Sequence, residues 1–132
     1  MIPYTPLVLP DLLDRAATAW PDHGVGFVAP HHPSRFFTFA GLRHHSLAIL
    51  AGLQGRGLKS GDRIMVSLDS AEEIIPVLWA CLYGGMIPAL LQPPVTFTGM
   101  NPAAEKASRV YDILGGPFVI ISHRHVDRKS VV

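Results

Sequence analysis

The segment that most restricts the possible folds is residues 70–91. It is almost entirely apolar after a polar start that is typical of a helix N-terminus. Ser70 followed by Glu73 predicts a capping box at the start of a helix, and Glu72 adds negative charge where a helix N-terminus favours it. A helix that is apolar on all sides lies in a protein interior. Pro76 predicts either a kink in this helix or a helix that begins there.

The same run continues into a predicted strand. Gly84 and Gly85 predict a left-handed helix stop. Residues 86–91 then contain no polar side chain, which is typical of a strand covered on both faces. A helix between two such strands belongs to a layered α/β domain.

The rest of the chain fits this class. From residue 63 onward the predicted order is strand, helix, strand, helix, strand, a doubly wound layout with right-handed crossovers. The first half adds two strands whose short connection permits only antiparallel pairing. We therefore predict a mostly parallel sheet with helices on both faces and an N-terminal antiparallel strand pair. The predicted helices span about 10–20, 38–54, 70–84 and 101–114, and the predicted strands 24–29, 35–39, 63–68, 86–91 and 117–122.

Composition excludes several classes of function. The net charge of +1 gives no bulk attraction to nucleic acid or to an anionic membrane, and no apolar run is long enough to span a bilayer. The single cysteine, Cys81, excludes an intrachain disulfide and suits a reducing compartment, so we expect a cytoplasmic protein. A hydrophobic fraction of 48% in 132 residues predicts that some apolar surface faces further protein.

No pattern predicts a metal site. The histidine pairs at 31–32 and 44–45 are adjacent in sequence, so their side chains diverge, and the spacings of known zinc motifs are missing. His45, beside the apolar face of its helix, is expected to be half-buried and hydrogen-bonded. The short basic run of Arg124, Arg128 and Lys129 has no interleaved aromatic residues and is interpreted as a solvated tail.

Catalytic patterns are equally weak. Gly52, Gly55 and Gly57 close a helix, whereas the glycines of a phosphate loop precede one. Cys81 lies among apolar neighbours and is expected to pack in the core. Ser67, Asp69 and Ser70 end a parallel strand, where ligands of α/β proteins often bind, but helix capping explains Ser70. There is no G-x-S-x-G motif of a serine hydrolase.

Three segments together resemble adenylate-forming enzymes: acyl-CoA synthetases, fatty-acyl-AMP ligases and peptide-synthetase adenylation domains. Residues 38–42 (TFAGL) resemble the opening Thr-Tyr-x-Glu-Leu motif, residues 80–88 (ACLYGGMIP) resemble the second core motif, and residues 52–64 resemble the Gly-Asp-Arg-Val run between them. The similarity covers about residues 9–122. Gly41 and Leu90 depart from the family, which usually has Glu and often Pro there. The Gln-Pro-Pro run at 92–94 resembles the fatty-acyl-AMP ligase branch.

The resemblance implies that residues 1–122 are the first part of a larger N-terminal ligase domain, followed by a polar tail or truncation boundary at 123–132. The complete enzyme would use ATP and Mg²⁺ to form an acyl-adenylate and would pass the acyl group to a thiol of coenzyme A or of an acyl or peptidyl carrier protein. The family's phosphate loop, nucleotide motifs and catalytic lysine lie later in such chains. We therefore assign no catalytic, cofactor-binding or metal residue here, and we expect this piece alone to be inactive, with the remainder of the ligase as its partner.

Two alternatives remain open at the level of sequence. The first is a non-enzymatic module whose exposed apolar surface binds a partner or a second copy. The second is a small flavodoxin-like nucleotide-binding protein, which ranks last because residues 68–70 (LDS) are a poor phosphate loop.

Overall fold

A computed structural model of the chain describes residues 8–94 and 101–122. The predicted tail at 123–132, with its basic run, lies outside the described residues. In chain order the elements are α1 (Leu9–Ala19), β1 (Gly24–Ala29), β2 (His32–Thr38), α2 (Phe39–Gly55), β3 (Arg63–Ser67), α3 (Ala71–Gly84), β4 (Ile87–Leu90), α4 (Pro102–Ile113) and β5 (Phe118–Ile121).

The first two strands form an antiparallel sheet of their own, as predicted. The β2 strand begins at His32 rather than at residue 35, because the ladder continues to an Ala29–His32 pair at the turn. Phe27 and Phe37 pack edge to face across the two strands, with ring centroids 5.4 Å apart. This contact fixes the strand pair in the geometry that aromatic rings prefer.

The other three strands form a parallel sheet in the order β4–β3–β5. The chain crosses from β3 to β4 on one side and then from β4 to β5 on the other. Because such crossovers are right-handed, α3 and α4 are directed to opposite faces of the sheet. The predicted α/β class is thus confirmed, with the parallel and antiparallel strands in separate sheets.

Helix α3 begins at Ala71 and continues through Pro76, so the alternative in which the helix begins at Pro76 is wrong. The Ser70 hydroxyl accepts a hydrogen bond from the Glu73 amide at 3.4 Å, which supplies the predicted cap. Gly85 ends the helix with a φ of 66°, in the left-handed region where glycine has no steric penalty.

The core lies between α2, α3 and the inner face of β3. Ile64, Ala80 and Cys81 are completely shielded from solvent. The buried cluster consists of Leu50, Leu53, Ile64, Val66, Leu68, Val77, Ala80, Cys81 and Met86. Burial of this apolar surface, at roughly 25 cal/mol per Å², is the main stabilising term for the domain.

Two apolar strands, of which β4 was predicted to be covered on both faces, are partly exposed. Ile87 and Leu90 of β4 are 54% and 50% exposed, and Phe118 and Val119 of β5 are also exposed. The reason is position: both strands flank β3, so within residues 8–94 and 101–122 each has a single neighbouring strand. Their apolar sequence matches an environment with more protein than the described residues provide.

The apolar side chains of helices α1 and α4 are also incompletely covered. In α1 only Leu13 is buried, whereas Leu12 and the capping residue Trp20 are exposed. No residue of α4 is buried, and Tyr111 is exposed. Among the described helices, none combines the length and apolarity that crossing a bilayer requires.

Candidate functional site

The carboxyl end of the parallel sheet is the first place to look for a site, because ligands of α/β folds bind beyond this edge. β3 ends at Ser67 and β5 at Ile121, and Ser122 follows directly. The buried Ser122 hydroxyl donates a hydrogen bond to the Glu73 carboxylate over 3.1 Å. This bond connects the end of β5 to the first turn of α3. The Glu73 carboxylate accepts from Ser122 and does not complete the predicted capping box.

The N-terminus of α3 carries negative charge. Glu72 and Glu73 occupy its first turn, and Glu72 forms an ion pair with Arg35 of β2 at 3.0 Å. Carboxylates stabilise the positive end of a helix dipole, but they repel a phosphate at the same place. The α3 N-terminus therefore does not fit the phosphates of ATP.

The described part of the chain forms no magnesium site either. Within 8–94 and 101–122 there is no group of at least three histidine, cysteine or acidic side chains arranged to hold a metal ion. Among the described residues, neither the α3 N-terminus nor a cluster of side chains is arranged to hold the phosphates of ATP or Mg²⁺.

A second polar cluster joins three helices. The Asp14 carboxylate on α1 accepts hydrogen bonds at one oxygen from Arg43 Nε of α2 (2.6 Å) and from the Tyr83 hydroxyl of α3 (2.7 Å). These two donors lower the pKa of Asp14, Tyr83 first and Arg43 second. Burial, together with the bond to Asp14, raises the pKa of the Tyr83 hydroxyl. The cluster holds α1 against the other two helices.

The Asp14–Arg43–Tyr83 cluster was not predicted from the sequence. Asp14 and Tyr83 are 69 positions apart, and no local pattern pairs them. The available signal was a tyrosine at the end of an otherwise apolar helix, since a buried tyrosine hydroxyl usually requires a hydrogen-bond partner.

The segment at 38–42 serves as a helix cap. The Thr38 hydroxyl accepts a hydrogen bond from the Gly41 amide at 2.9 Å, and Leu42 is buried. Gly41 occupies the third helical position, where a glutamate would close a capping box with Thr38. The departure at Gly41 therefore removes half of a local stabilising motif and no catalytic group.

The segment at 80–88 allows a close approach between helix ends. A Cβ atom at Gly84 would lie 2.6 Å from Leu50 Cδ1, and one at Gly85 would lie 2.5 Å from Ser60 Oγ. The Gly61 amide donates to the Gly85 carbonyl at 2.8 Å. The two glycines let α3 end against α2 and against the turn before β3, so the role of this motif is structural.

The remaining candidate residues have structural positions as well. Cys81 is fully buried, and this burial raises the pKa of its thiol, as expected of a cysteine that packs in the core. The predicted half-buried state of His45 is wrong: its side chain is exposed and lies 6.2 Å from the Phe37 ring. Among the other histidines, His31, His32 and His44 are exposed, and His123 and His125 lie outside the described residues.

Comparison with known proteins identifies atromentin synthetases among the relatives of this chain. The chain is 32% identical to an atromentin synthetase of Paxillus involutus over 95 residues, which is 70% of this chain and 10% of that protein. It is 28% identical to an inactive atromentin synthetase of that organism, again over 70% of this chain and 10% of that protein. The chain thus spans about a tenth of the length of the curated relatives it matches. No protein-family model matches it.

Solved structures agree with the sequence comparison. McyG A-PCP complexed with phenylalanyl-adenylate matches with a TM-score of 0.85 and 27% identity, covering 94% of this chain and 22% of that one. The adenylation domain of a keto acid-selecting NRPS module matches with a TM-score of 0.86 and 25% identity, covering 95% and 22%. A fatty acid AMP ligase of Legionella pneumophila matches with a TM-score of 0.82 and 25% identity, covering 92% of this chain and 20% of that one. In sequence and in fold, this chain corresponds to an N-terminal part of the adenylate-forming enzymes.

Proposed function

We propose that this chain is the first part of an ATP-dependent ligase that converts a carboxylic acid into an acyl-adenylate and pyrophosphate. The observation that supports this most strongly is the match to the adenylation domain of a keto acid-selecting NRPS module, over 95% of this chain at a TM-score of 0.86. In this proposal residues 1–122 are the first part of the large N-terminal domain, and residues 123–132 are a polar tail or a truncation boundary. The piece acts as scaffold.

The substrate class follows from the relatives and is part of the same proposal. The similar structures include a phenylalanyl-adenylate complex, a keto acyl adenylate complex and a fatty acid AMP ligase. We therefore propose a carboxylic acid with an apolar body, which the complete enzyme transfers to a carrier-protein thiol or to coenzyme A. A cytoplasmic location is consistent with the single unpaired thiol of Cys81.

ATP–pyrophosphate exchange tests the proposed reaction. The assay compares the 132-residue chain with the polypeptide translated from the complete reading frame that contains it, each with phenylalanine, a 2-keto acid and a long-chain fatty acid. We expect acid-dependent exchange from the complete polypeptide and none from the 132-residue chain. Exchange by the 132-residue chain alone would overturn the scaffold role.

An inactive ligase must be distinguished from a protein that is no ligase, since some of the relatives are themselves described as inactive. Calorimetric titration of the complete polypeptide with non-hydrolysable acyl-adenylate analogues makes this distinction. Binding without exchange indicates a degenerate ligase, whereas neither binding nor exchange with any of the three acid classes contradicts the proposal.

A second candidate function is an interaction module without enzymatic activity. The observation in its favour is the exposed apolar surface of the flanking strands, at Ile87, Leu90, Phe118 and Val119. Exposed apolar residues grouped in this way mark surfaces that bind other protein.

A further inference from the structure

Helix α1 is attached to the rest of the fold through a small apolar contact and one polar cluster. The helix packs against α2 and α3. Among the residues of α1, all of which the structure describes, only Leu13 is buried. Ala16 and Ala17 share its face at helical spacing, but they are small and half-buried. Because α2 and α3 form the other side of this contact, its small apolar area follows from the residues that α1 itself presents.

Asp14 supplies the polar part of the attachment from the middle of the helix. Its Oδ1 atom accepts a hydrogen bond from the Tyr83 hydroxyl of α3 at 2.7 Å and one from Arg43 Nε of α2 at 2.6 Å. Hydrogen bonds to an ionised acceptor are stronger than those between neutral groups. One side chain thus joins α1 to both neighbouring helices, directly beside the single buried leucine.

Away from α2 and α3, the α1 segment has little to keep it helical. It is 11 residues long, and isolated helices shorter than about 12–15 residues are marginal in water. Val8 at the N-cap position provides no side-chain cap, and the last turn carries no basic residue. Undocking and unfolding of this helix therefore occur together.

The chain is anchored again shortly after α1. The Phe39 amide, at the start of α2, donates to the His23 carbonyl at 2.6 Å. From Gly24 onward the chain lies in the antiparallel ladder, where Gly24 pairs with Thr38. Between these contacts and α1 lies a short turn, in which the His23 amide donates to the Trp20 carbonyl at 3.1 Å. The turn lets α1 leave its site without disturbing the strand pair.

We propose that α1 opens as one unit: it leaves α2 and α3 and unfolds up to His23 while the rest of the fold stays intact. Asp14 with its two donors is the contact that opposes this opening. Proteins open locally in such cooperative units at a lower free energy than that of global unfolding. The open state uncovers the Tyr83 hydroxyl and the surface of α2 and α3 beneath Leu13. The opening does not depend on the enzymatic function proposed above.

Amide hydrogen exchange of the folded 132-residue chain tests the proposal. We expect the amides of residues 13–19 to share one protection factor, at least 100-fold lower than those of Leu50 and Ala80 in the buried parts of α2 and α3. Protection in α1 equal to that of Leu50 and Ala80 would overturn the proposal. Protection that instead rises residue by residue along α1 would also overturn it, because this is fraying from the N-terminus and not the opening of a unit.

Two substitutions separate local opening from global unfolding. Tyr83→Phe removes one donor to Asp14 without changing the sequence of α1, and it should lower the protection of residues 13–19 about fivefold. Ile64→Val removes a methylene group from a completely buried position of β3 and should lower the protection of Leu50 and Ala80 several-fold. It should leave the protection of α1 unchanged, because the core around Ile64 stays formed in the open state.

Each variant has an outcome that contradicts the proposal. If Ile64→Val lowers the protection of α1 by the same factor as that of Leu50 and Ala80, α1 opens only with the whole protein and the proposal is refuted. If Tyr83→Phe leaves the protection of α1 unchanged, the Asp14 cluster is not the contact that opposes opening.

Discussion

The Tyr83 hydroxyl should contribute more to stability than the Arg43 guanidinium, although both bind the same oxygen of Asp14. The test uses three single substitutions, Asp14→Ala, Tyr83→Phe and Arg43→Met, and the two double variants that include Asp14→Ala. Methionine keeps the apolar stem of Arg43, so that mainly the charge is lost. The two double-mutant cycles then isolate the coupling of each donor to Asp14.

The expected coupling free energies follow from how exposed the three side chains are. The Arg43 and Asp14 side chains are 44% and 43% exposed, and ion pairs of this kind contribute about 0.2–1 kcal/mol. Tyr83 is half-buried and donates to a charged acceptor, a class of hydrogen bond worth about 1.5–3 kcal/mol when buried. Because Asp14 is partly solvated, we expect a coupling of about 1 kcal/mol for Asp14–Tyr83 and about 0.3 kcal/mol for Asp14–Arg43.

Urea unfolding of all six proteins, followed by circular dichroism, measures these couplings. Tyr111→Phe removes a hydroxyl from an exposed tyrosine of α4 and should leave the free energy of unfolding unchanged. A coupling for Arg43 equal to or larger than that for Tyr83 would refute the reasoning, because contact length would then outweigh burial.

Three further predictions concern single positions. The pKa of Asp14 is lowered in the folded state, so the Asp14 carboxylate contributes fully to stability above its ordinary pKa of 3.8. This contribution is lost as the pH falls through the folded-state pKa. Urea unfolding between pH 6 and pH 2 should therefore show that the difference in free energy of unfolding between the native protein and Asp14→Ala disappears. Gly41→Glu should raise the free energy of unfolding by about 1 kcal/mol, since it supplies a better helix former and completes the capping box with Thr38. Ser46→Ala should leave stability unchanged or raise it by up to about 1 kcal/mol, because the buried Ser46 hydroxyl has no hydrogen-bond partner among the described residues.

Further variants and outcomes show whether each predicted effect has the stated physical cause. Gly41→Ala gives the effect of helix propensity alone, so a Glu variant no more stable than the Ala variant would argue against the capping box. For the buried hydroxyl, a loss of more than about 1 kcal/mol in Ser46→Ala would indicate that Ser46 makes a stabilising contact after all. If the difference in free energy of unfolding between the native protein and Asp14→Ala is independent of pH, the charge of Asp14 does not contribute to stability.

Local features of the sequence predicted the elements well. Ser70 and Gly85 mark both ends of α3, and each acts through backbone geometry within one turn of the helix. Pro76 left two alternatives because proline is accepted both in a first turn and at a kink. The cap at Ser70 decides between them, since it satisfies backbone amides well before Pro76.

Burial was predicted less well, because an apolar side chain indicates which environment it suits and not whether the described residues provide it. β4 was predicted to be covered on both faces, yet it is a flanking strand with exposed apolar residues. Long-range polar contacts were not predicted at all. The hydrogen bond from Ser122 to Glu73 spans 49 positions and depends on where two elements meet in the fold.

The length of the native polypeptide that carries these residues tests the central claim most directly. Intact mass of the protein captured with an antibody against residues 8–94, together with the coding sequence past codon 132, gives this length. The account predicts a chain several hundred residues longer, with a serine-, threonine- and glycine-rich loop ending near a lysine soon after this segment. A native polypeptide that ends at Val132 would contradict the assignment to a larger ligase and would favour the interaction module.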